Sequence, residues 1–178
     1  MTRRALIEAH LRAFWKDEHG GTIEFVILFP VLFSAMFSVF ELGWLLSKAA
    51  LLDRGMELAM RDVRLGVPSV MTEAGIRRRI CEGAVIFDQC EDWLVVEMTP
   101  ITGPNDFPQA DAACFDRSED VRPVVTFNPG GRSELIYVRA CALTDPIMPT
   151  SAIAMGLKED NDGEYRIITY SAFMNEPE

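Results

Sequence analysis

The chain has 178 residues, a formal net charge of −10 and a mean hydropathy of +0.10. This length gives room for one modest domain beside one membrane segment. The acidic excess lies in residues 67–178, with nine basic and nineteen acidic side chains, and argues against nucleic acid as a partner, because proteins that bind nucleic acid present basic surfaces.

Residues 1–22 are predicted to be a basic leader on the cytoplasmic side, before an apolar run. Within the leader, "RALIEAHLRAFWK" at 4–16 places apolar residues at helical spacing between basic ones. This pattern leaves two interpretations open, a short basic amphipathic helix on the cytoplasmic leaflet and a merely solvated leader.

Residues 23–46 are predicted to be a transmembrane helix. From Phe25 to Leu46 there are 22 residues, interrupted by one proline, two serines, one glutamate and one glycine. A helix of this length crosses a hydrocarbon core of about 30 Å. One alternative is a buried helix of a soluble protein, although such helices seldom carry so long an apolar face on all sides. Another is a cleaved secretory signal, whose apolar core of about 7–15 residues would be shorter.

The helical pattern continues through residues 47–66, which are predicted to leave the membrane. Gly66 and Pro68 end the helix, which is expected to run from about Thr22 to Leu65. Its apolar stripe has spacings of three and four and needs a covering domain: Leu45, Ala49, Leu52, Met56, Met60 and Val63.

Residues 67–178 are predicted to form a small exported domain. Thr72 and Glu73 open a short helix, "TEAGIRRRIC". Asn128–Gly131 reads as a turn between strands, and Asp162-Gly163 reads as a hairpin turn. About four strands of an antiparallel sheet are expected: "WLVVEMTPI", "VVTFNPGG", "ELIYVRACAL" and "YRIITYSAFM". The fold class is therefore α+β, with the sheet packed on the stripe of the long helix.

Cysteine placement decides the orientation, because residues 1–22 and 47–66 each hold four basic side chains and the positive-inside rule gives a tie. The four cysteines all lie beyond the membrane segment, as expected for disulfides in an oxidising compartment: Cys81, Cys90, Cys114 and Cys141. A zinc site is the alternative, but there is no CxxC spacing and both histidines precede the span. The N-terminus is then cytoplasmic. Of three possible pairings, short separation favours Cys81–Cys90 with Cys114–Cys141.

The exported domain offers little for catalysis, and the chain is predicted not to be an enzyme. Neither histidine lies in it, so a Ser/His/Asp or Cys/His constellation cannot be assembled there. "KEDNDGEY" at 158–165 resembles a calcium loop only in composition, and its twelve-position pattern is absent. No cofactor and no metal are expected.

Two glutamates, Glu24 and Glu41, lie at the ends of the apolar run. An ionisable group in a spanning segment is costly unless it reaches water, protonates or finds a partner. Glu41 is expected close to the outer interface, where it can reach water. Snorkelling to water is also the simplest interpretation of Glu24.

The segment "GGTIEFVILFPVLF", after a short basic leader, resembles the type IV pilin superfamily and specifically the TadE-like minor pilins of tight-adherence (Flp) pili. The pair Glu24-Phe25, the helical Pro30 and the late "NPGGRSELIYVRACAL" carry the resemblance. It implies a bacterial inner-membrane protein with a periplasmic C-terminal domain. The implied partners are other pilin-like subunits, the pilus assembly machinery and a prepilin peptidase. Glu24 and Phe25 become assembly residues, with Glu24 pairing with the freed α-amino group of a neighbouring subunit.

The resemblance also implies peptidase cleavage after a glycine, with glutamate fifth in the mature chain. Counting back from Glu24 places position one at Gly20 and puts His19 before the cut, which departs from this pattern. A cut after Gly20, which would make Gly21 the first residue, makes Glu24 fourth. Cleavage shifted by one position and a retained leader both stay open.

The alternative function, from another class, is a membrane-anchored periplasmic ligand-binding or sensor module.

Overall fold

The computed structural model describes residues 20–107, 114–115, 123–131, 133–148 and 164–174. Four predictions fall outside the described residues: the amphipathic helix at 4–16, the processing residue His19, the acidic segment from residue 158, and the Asp162-Gly163 turn.

Helix α1, Gly20–Arg64, has 45 residues and contains Pro30. Its end has the hydrogen-bond pattern of a Schellman motif. Gly66 adopts a φ of 67°, the N–H of Gly66 bonds to the carbonyl of Val63 at 3.0 Å, and the N–H of Val67 bonds to the carbonyl of Asp62 at 3.1 Å. Glycine reaches this left-handed conformation without a Cβ penalty. The prediction that Gly66 ends the helix is therefore confirmed.

The second half of α1 packs one face into the protein. The predicted stripe is confirmed: Leu45 and Ala49 are partly buried against the core, and its later members are buried. The fully covered residues of this face are Leu52, Met56, Ala59, Met60 and Val63.

Helix α2, Glu73–Gly83, begins where its sequence predicts. The Thr72 side chain accepts a hydrogen bond from the N–H of Gly75 at 3.1 Å, which satisfies one of the unpaired donors of the first turn. A 3₁₀ turn, Pro68–Val70, precedes α2, and the single-turn helix α3, Cys90–Trp93, follows it.

Two glycines let α1 and α2 approach closely. A Cβ built on Gly83 would lie 2.5 Å from the Cα of Gly55, and a Cβ built on Gly55 would overlap the carbonyl of Ile80. The two backbones are therefore in direct contact at this crossing, a distance that only glycine allows.

The sheet has the antiparallel order β1-β2-β3, formed by Val95–Ile101, Leu135–Thr144 and Tyr165–Met174. A second 3₁₀ turn, Pro104–Asp106, follows β1. The α+β class is confirmed, with one strand fewer than expected in the described residues.

The predicted second strand, "VVTFNPGG", makes only a single parallel bridge, between Phe127 and Met98. Its ladder stops after the hydrogen bonds from Met98 N–H to the Thr126 carbonyl and from Asn128 N–H to the Met98 carbonyl, each 2.9 Å. The next donors in this parallel pattern would be Pro100, which has no N–H, and Gly130, whose N–H bonds to the Asn128 side chain instead. The predicted turn is present, because the Asn128 side chain accepts from the N–H of Gly130 at 3.0 Å.

The structure divides into two compact units, Met1–Phe40 and Glu41–Glu178. Within the second unit, the main core lies between the helices and the inner face of the sheet, including Met98, Val138 and Phe173. A smaller core covers part of the outer face of the sheet. It is built by Val95, Cys114, Phe115, Cys141 and Leu143.

Candidate functional site

The first part of α1 presents apolar side chains to its surroundings. From Ile23 to Phe40 the large aliphatic and aromatic side chains among its exposed residues are between 39% and 71% exposed. Such a surface is unstable in water over this length. Among the described residues, α1 is the helix long and apolar enough to cross a membrane, and its most apolar window is not buried in the protein. It is therefore a candidate membrane anchor.

Four phenylalanines form a ladder along one face of this segment, starting at the predicted assembly residue Phe25. The ring centroids of Phe25, Phe29, Phe33 and Phe37 are successively 5.1, 4.6 and 5.0 Å apart. Residues four apart on a helix are neighbours on its surface, so the spacing alone produces the ladder. The sequence analysis named Phe25 and missed the other three, although the i, i+4 repeat was visible.

Glu24 is exposed in the second turn of α1. Its position leaves the carboxylate accessible to a partner outside the chain. Of the predicted processing residues, Gly20 and Gly21 are the first two residues of α1, and His19 lies outside the described part of the chain.

Residues 20–61 match the family model of TadE-like proteins. This segment is TadE-like. The match begins at Gly20, includes Glu24 and the phenylalanine ladder, and stops before the sheet. Comparisons with curated proteins and with solved structures give no match. The TadE-like match confirms the resemblance and indicates a pilus-associated component that works with other parts of a pilus machinery.

Glu41 is where the structure corrects the sequence analysis, which expected this carboxylate to reach water. Its residue surface is 2% exposed. Its Oε1 atom accepts a hydrogen bond from the Tyr165 hydroxyl at 3.1 Å and from the Met148 N–H at 3.4 Å. The carboxylate is thus held between α1, the start of β3 and the segment after β2. Tyr165 could not be named from sequence, because it lies 124 residues away.

Two turns further along α1, Lys48 also reaches the sheet. Its Nζ atom donates to the Thr144 hydroxyl at the end of β2. The same Nζ lies 5.7 Å from the centre of the Trp44 ring and 5.5 Å from that of Phe87, distances at which a cation is attracted to an aromatic face.

The four predicted disulfide cysteines are paired in the structure as the sequence analysis favoured. Cys81 bonds to Cys90, with 5.6 Å between their Cα atoms, and Cys114 bonds to Cys141, with 5.5 Å. The first closes the loop between α2 and α3, and the second ties residues 114–115 to β2. Formation of these bonds in the cell stays a prediction.

The outer face of the sheet carries an ion pair that sequence reasoning missed. The guanidinium of Arg139, 3% exposed, lies 2.9 Å from the Glu97 carboxylate on the neighbouring strand. The register pairs these two residues directly. Further along this face, burial raises the pKa of the Tyr137 hydroxyl, whose ring stacks on Tyr170 with centroids 5.9 Å apart.

The alternative function would need a deep pocket with converging polar groups. An open cavity of about 520 Å³ lies beside the end of α1, and its lining includes Glu57, Arg61, Arg64 and Ser171. Its polar groups are spread along one helix and one strand edge, which does not favour a dedicated ligand site. Within the described residues, no group of three or more metal-binding side chains occurs.

Proposed function

We propose that this chain is a TadE-like minor pilin, a non-enzymatic structural component in the assembly of a tight-adherence pilus. The observation that carries the proposal is the TadE-like match over residues 20–61, on a helix whose first part exposes apolar side chains on all sides. A helix of this kind is suited to leave the lipid and pack against the helices of other subunits without changing its own surface.

In this proposal Glu24 sets the register between subunits. Its carboxylate pairs with the α-amino group that a prepilin peptidase frees at Gly20 or Gly21 of a neighbour. The attraction is strong in a low dielectric, and it leaves a costly unpaired charge when one partner is removed. The exposure of Glu24 in the single chain supports a partner outside the chain.

The test is complementation of a strain that lacks the gene, with Glu24→Gln compared with Glu57→Gln. Glu57 is an exposed glutamate on the same helix, beyond the apolar segment. It is a better control than Glu41, which is buried. We expect Glu57→Gln to restore pili and Glu24→Gln to insert but fail, since losing one partner of a fully buried ion pair costs roughly 3–5 kcal/mol.

The outcomes separate the parts of this proposal. Full piliation with Glu24→Gln would contradict the charge pairing, as would a mature protein that begins at Met1. Normal pili in the strain that lacks the gene would refute the role in assembly itself.

The proposed topology places the N-terminus in the cytoplasm and the second unit in the periplasm of a bacterial inner-membrane protein. A reporter that is active only outside the cytoplasm should be active when fused after Glu178 and inactive when fused before Met1. The reverse pattern would refute the pilin proposal, because the domain must lie on the side where the filament grows.

A further inference from the structure

Two loops of the second unit have apolar tips where loops are usually polar. Residues 85–87, "VIF", follow α2, and residues 146–148, "PIM", follow β2. Val85 is 74% exposed and Ile147 is 48% exposed. Together these residues are called the loop tips below.

Both loop tips lie beside the same short stretch of α1. The N–H of Met148 is 3.4 Å from the Glu41 carboxylate, and the Phe87 ring is 5.5 Å from the Nζ of Lys48. One loop is therefore fixed near residue 41 and the other near residue 48, within two turns of helix.

Residues 41–48 follow directly on the apolar segment. At a rise of 1.5 Å per residue, the 20 residues from 21 to 40 span about 30 Å, the thickness of a hydrocarbon core. In the anchored chain of the proposed function, α1 then leaves the hydrocarbon close to Glu41. The residues that follow must lie among the lipid headgroups.

The composition of residues 41–48 agrees with a position among the lipid headgroups. Trp44 is 38% exposed, and tryptophan is enriched at the boundary between lipid and water. Leu42 and Leu46 are also exposed, by 40% and 60%.

We propose that the loop tips dock on the lipid bilayer and seat the second unit on the membrane surface at the level of residues 41–48. This inference rests on the membrane anchoring in the proposed function. The contact is apolar, because Asp88 and Asp145 stand beside the loop tips and would be repelled by anionic headgroups. The docked lipid is accordingly expected to be zwitterionic rather than anionic.

The test uses the full chain in liposomes whose phospholipids carry a photoactivatable group near the top of the acyl chain. After irradiation, mass spectrometry locates lipid adducts on peptides. We expect adducts in residues 21–40 and on both loop tips, with none at Leu65 or Val124, which are exposed by 69% and 101% elsewhere in the chain. Adding anionic lipid should not raise the yield at the loop tips.

The adduct pattern distinguishes the two proposals. Adducts confined to residues 21–48 would overturn the docking of the loop tips and leave the anchor intact. Absence of adducts from residues 21–40 would refute the anchor itself. Covalent dimers joined through the loop tips after protein cross-linking, in place of lipid adducts, would assign this surface to a second copy of the chain and also overturn the docking.

A double variant and a matched control test whether the apolar side chains of the loop tips cause the docking. In Val85→Asn/Ile147→Asn, adducts at the loop tips should fall to the level seen at Leu65, while those in residues 21–40 and both disulfides are kept. Leu65→Asn is the matched control and should leave every adduct unchanged. An unchanged yield at the loop tips of the double variant would contradict docking through these apolar side chains.

Discussion

A carboxylate enclosed by protein is stable only when its oxygens find donors. Tyr165 and Met148 both donate to Glu41, and they lie at the two ends of the connection from β2 to β3. One side chain of α1 therefore holds both ends of this connection against the helix.

A double-mutant cycle of Glu41→Gln and Tyr165→Phe tests the hydrogen bond between these two side chains. Tyr165→Phe removes the hydroxyl donor and should lower the free energy of unfolding by about 1.5–3 kcal/mol, the range for a hydrogen bond to a charged group. The double variant should lose less than the sum of the two single losses, by about 0.5–3 kcal/mol. Chemical unfolding in detergent, followed by tryptophan fluorescence, measures these differences.

Glu57→Gln is again the control, because exposed substitutions usually change stability by less than about 0.5 kcal/mol. Strictly additive losses would show that the Glu41–Tyr165 hydrogen bond contributes nothing.

At the scale of elements, the contact between α1 and α2 depends on Gly55 and Gly83. Gly55→Ala should destabilise the protein by about 1–3 kcal/mol, as overpacked cores do, because the added methyl group meets the backbone of α2. The matched control is Gly43→Ala on the same helix. A Cβ there has nothing within 4 Å. This control should be neutral or stabilising by up to about 1 kcal/mol, since alanine is the better helix former. Unfolding midpoints that rank the two variants in the opposite order would contradict the close helix crossing.

Elements with local signals were predictable. The stripe of α1, its Gly66 end and the Thr72 cap are all written within a few residues of where they act. The strand predicted at "VVTFNPGG" forms only a single bridge, because strand pairing depends on residues that are far apart in the sequence. Its residues favour strands, but pairing with β1 stops after Met98, because Pro100, the next donor that the ladder needs, has no N–H. Which strands meet is a property of the whole fold.

For the whole molecule, the two disulfides should be found as Cys81–Cys90 and Cys114–Cys141 in non-reduced peptides of protein isolated from the cell. Four free thiols would refute both the pairing and the oxidising compartment. Replacing a native disulfide in a small exported domain typically costs about 2–5 kcal/mol.

The two bonds also differ in their expected contributions. They close sequence separations of 9 and 27 residues, so loop-closure entropy makes the loss of Cys114–Cys141 the larger by about 1 kcal/mol. Paired serine substitutions, compared by chemical unfolding, measure this difference. An equal or smaller loss for the Cys114/Cys141 pair would contradict the expected ranking.

The features of the candidate site, like the elements of the fold, could be predicted only where their sequence signal is local. The apolar run was predictable because its signal is local, while the assembly roles of Glu24 and Phe25 stay predictions. The burial of Glu41 and the Arg139–Glu97 pair were not predictable, since each depends on a residue that folding brings from another strand or from the far end of the chain. An interruption in an apolar run shows where a polar partner is needed, but not which residue supplies it.

The hydrogen bond between Glu41 and Tyr165 joins two residues that the ribosome adds to the chain many seconds apart. A ribosome makes Glu41 well before Tyr165, and at roughly 5–20 residues per second the 124 residues between them take on the order of ten seconds. During that interval the carboxylate lacks its final donor. A nascent chain that stops before β3 would lack the Tyr165 hydroxyl that donates to this carboxylate. This contact, which buries the carboxylate of Glu41, therefore forms only after the first residue of β3 has been made.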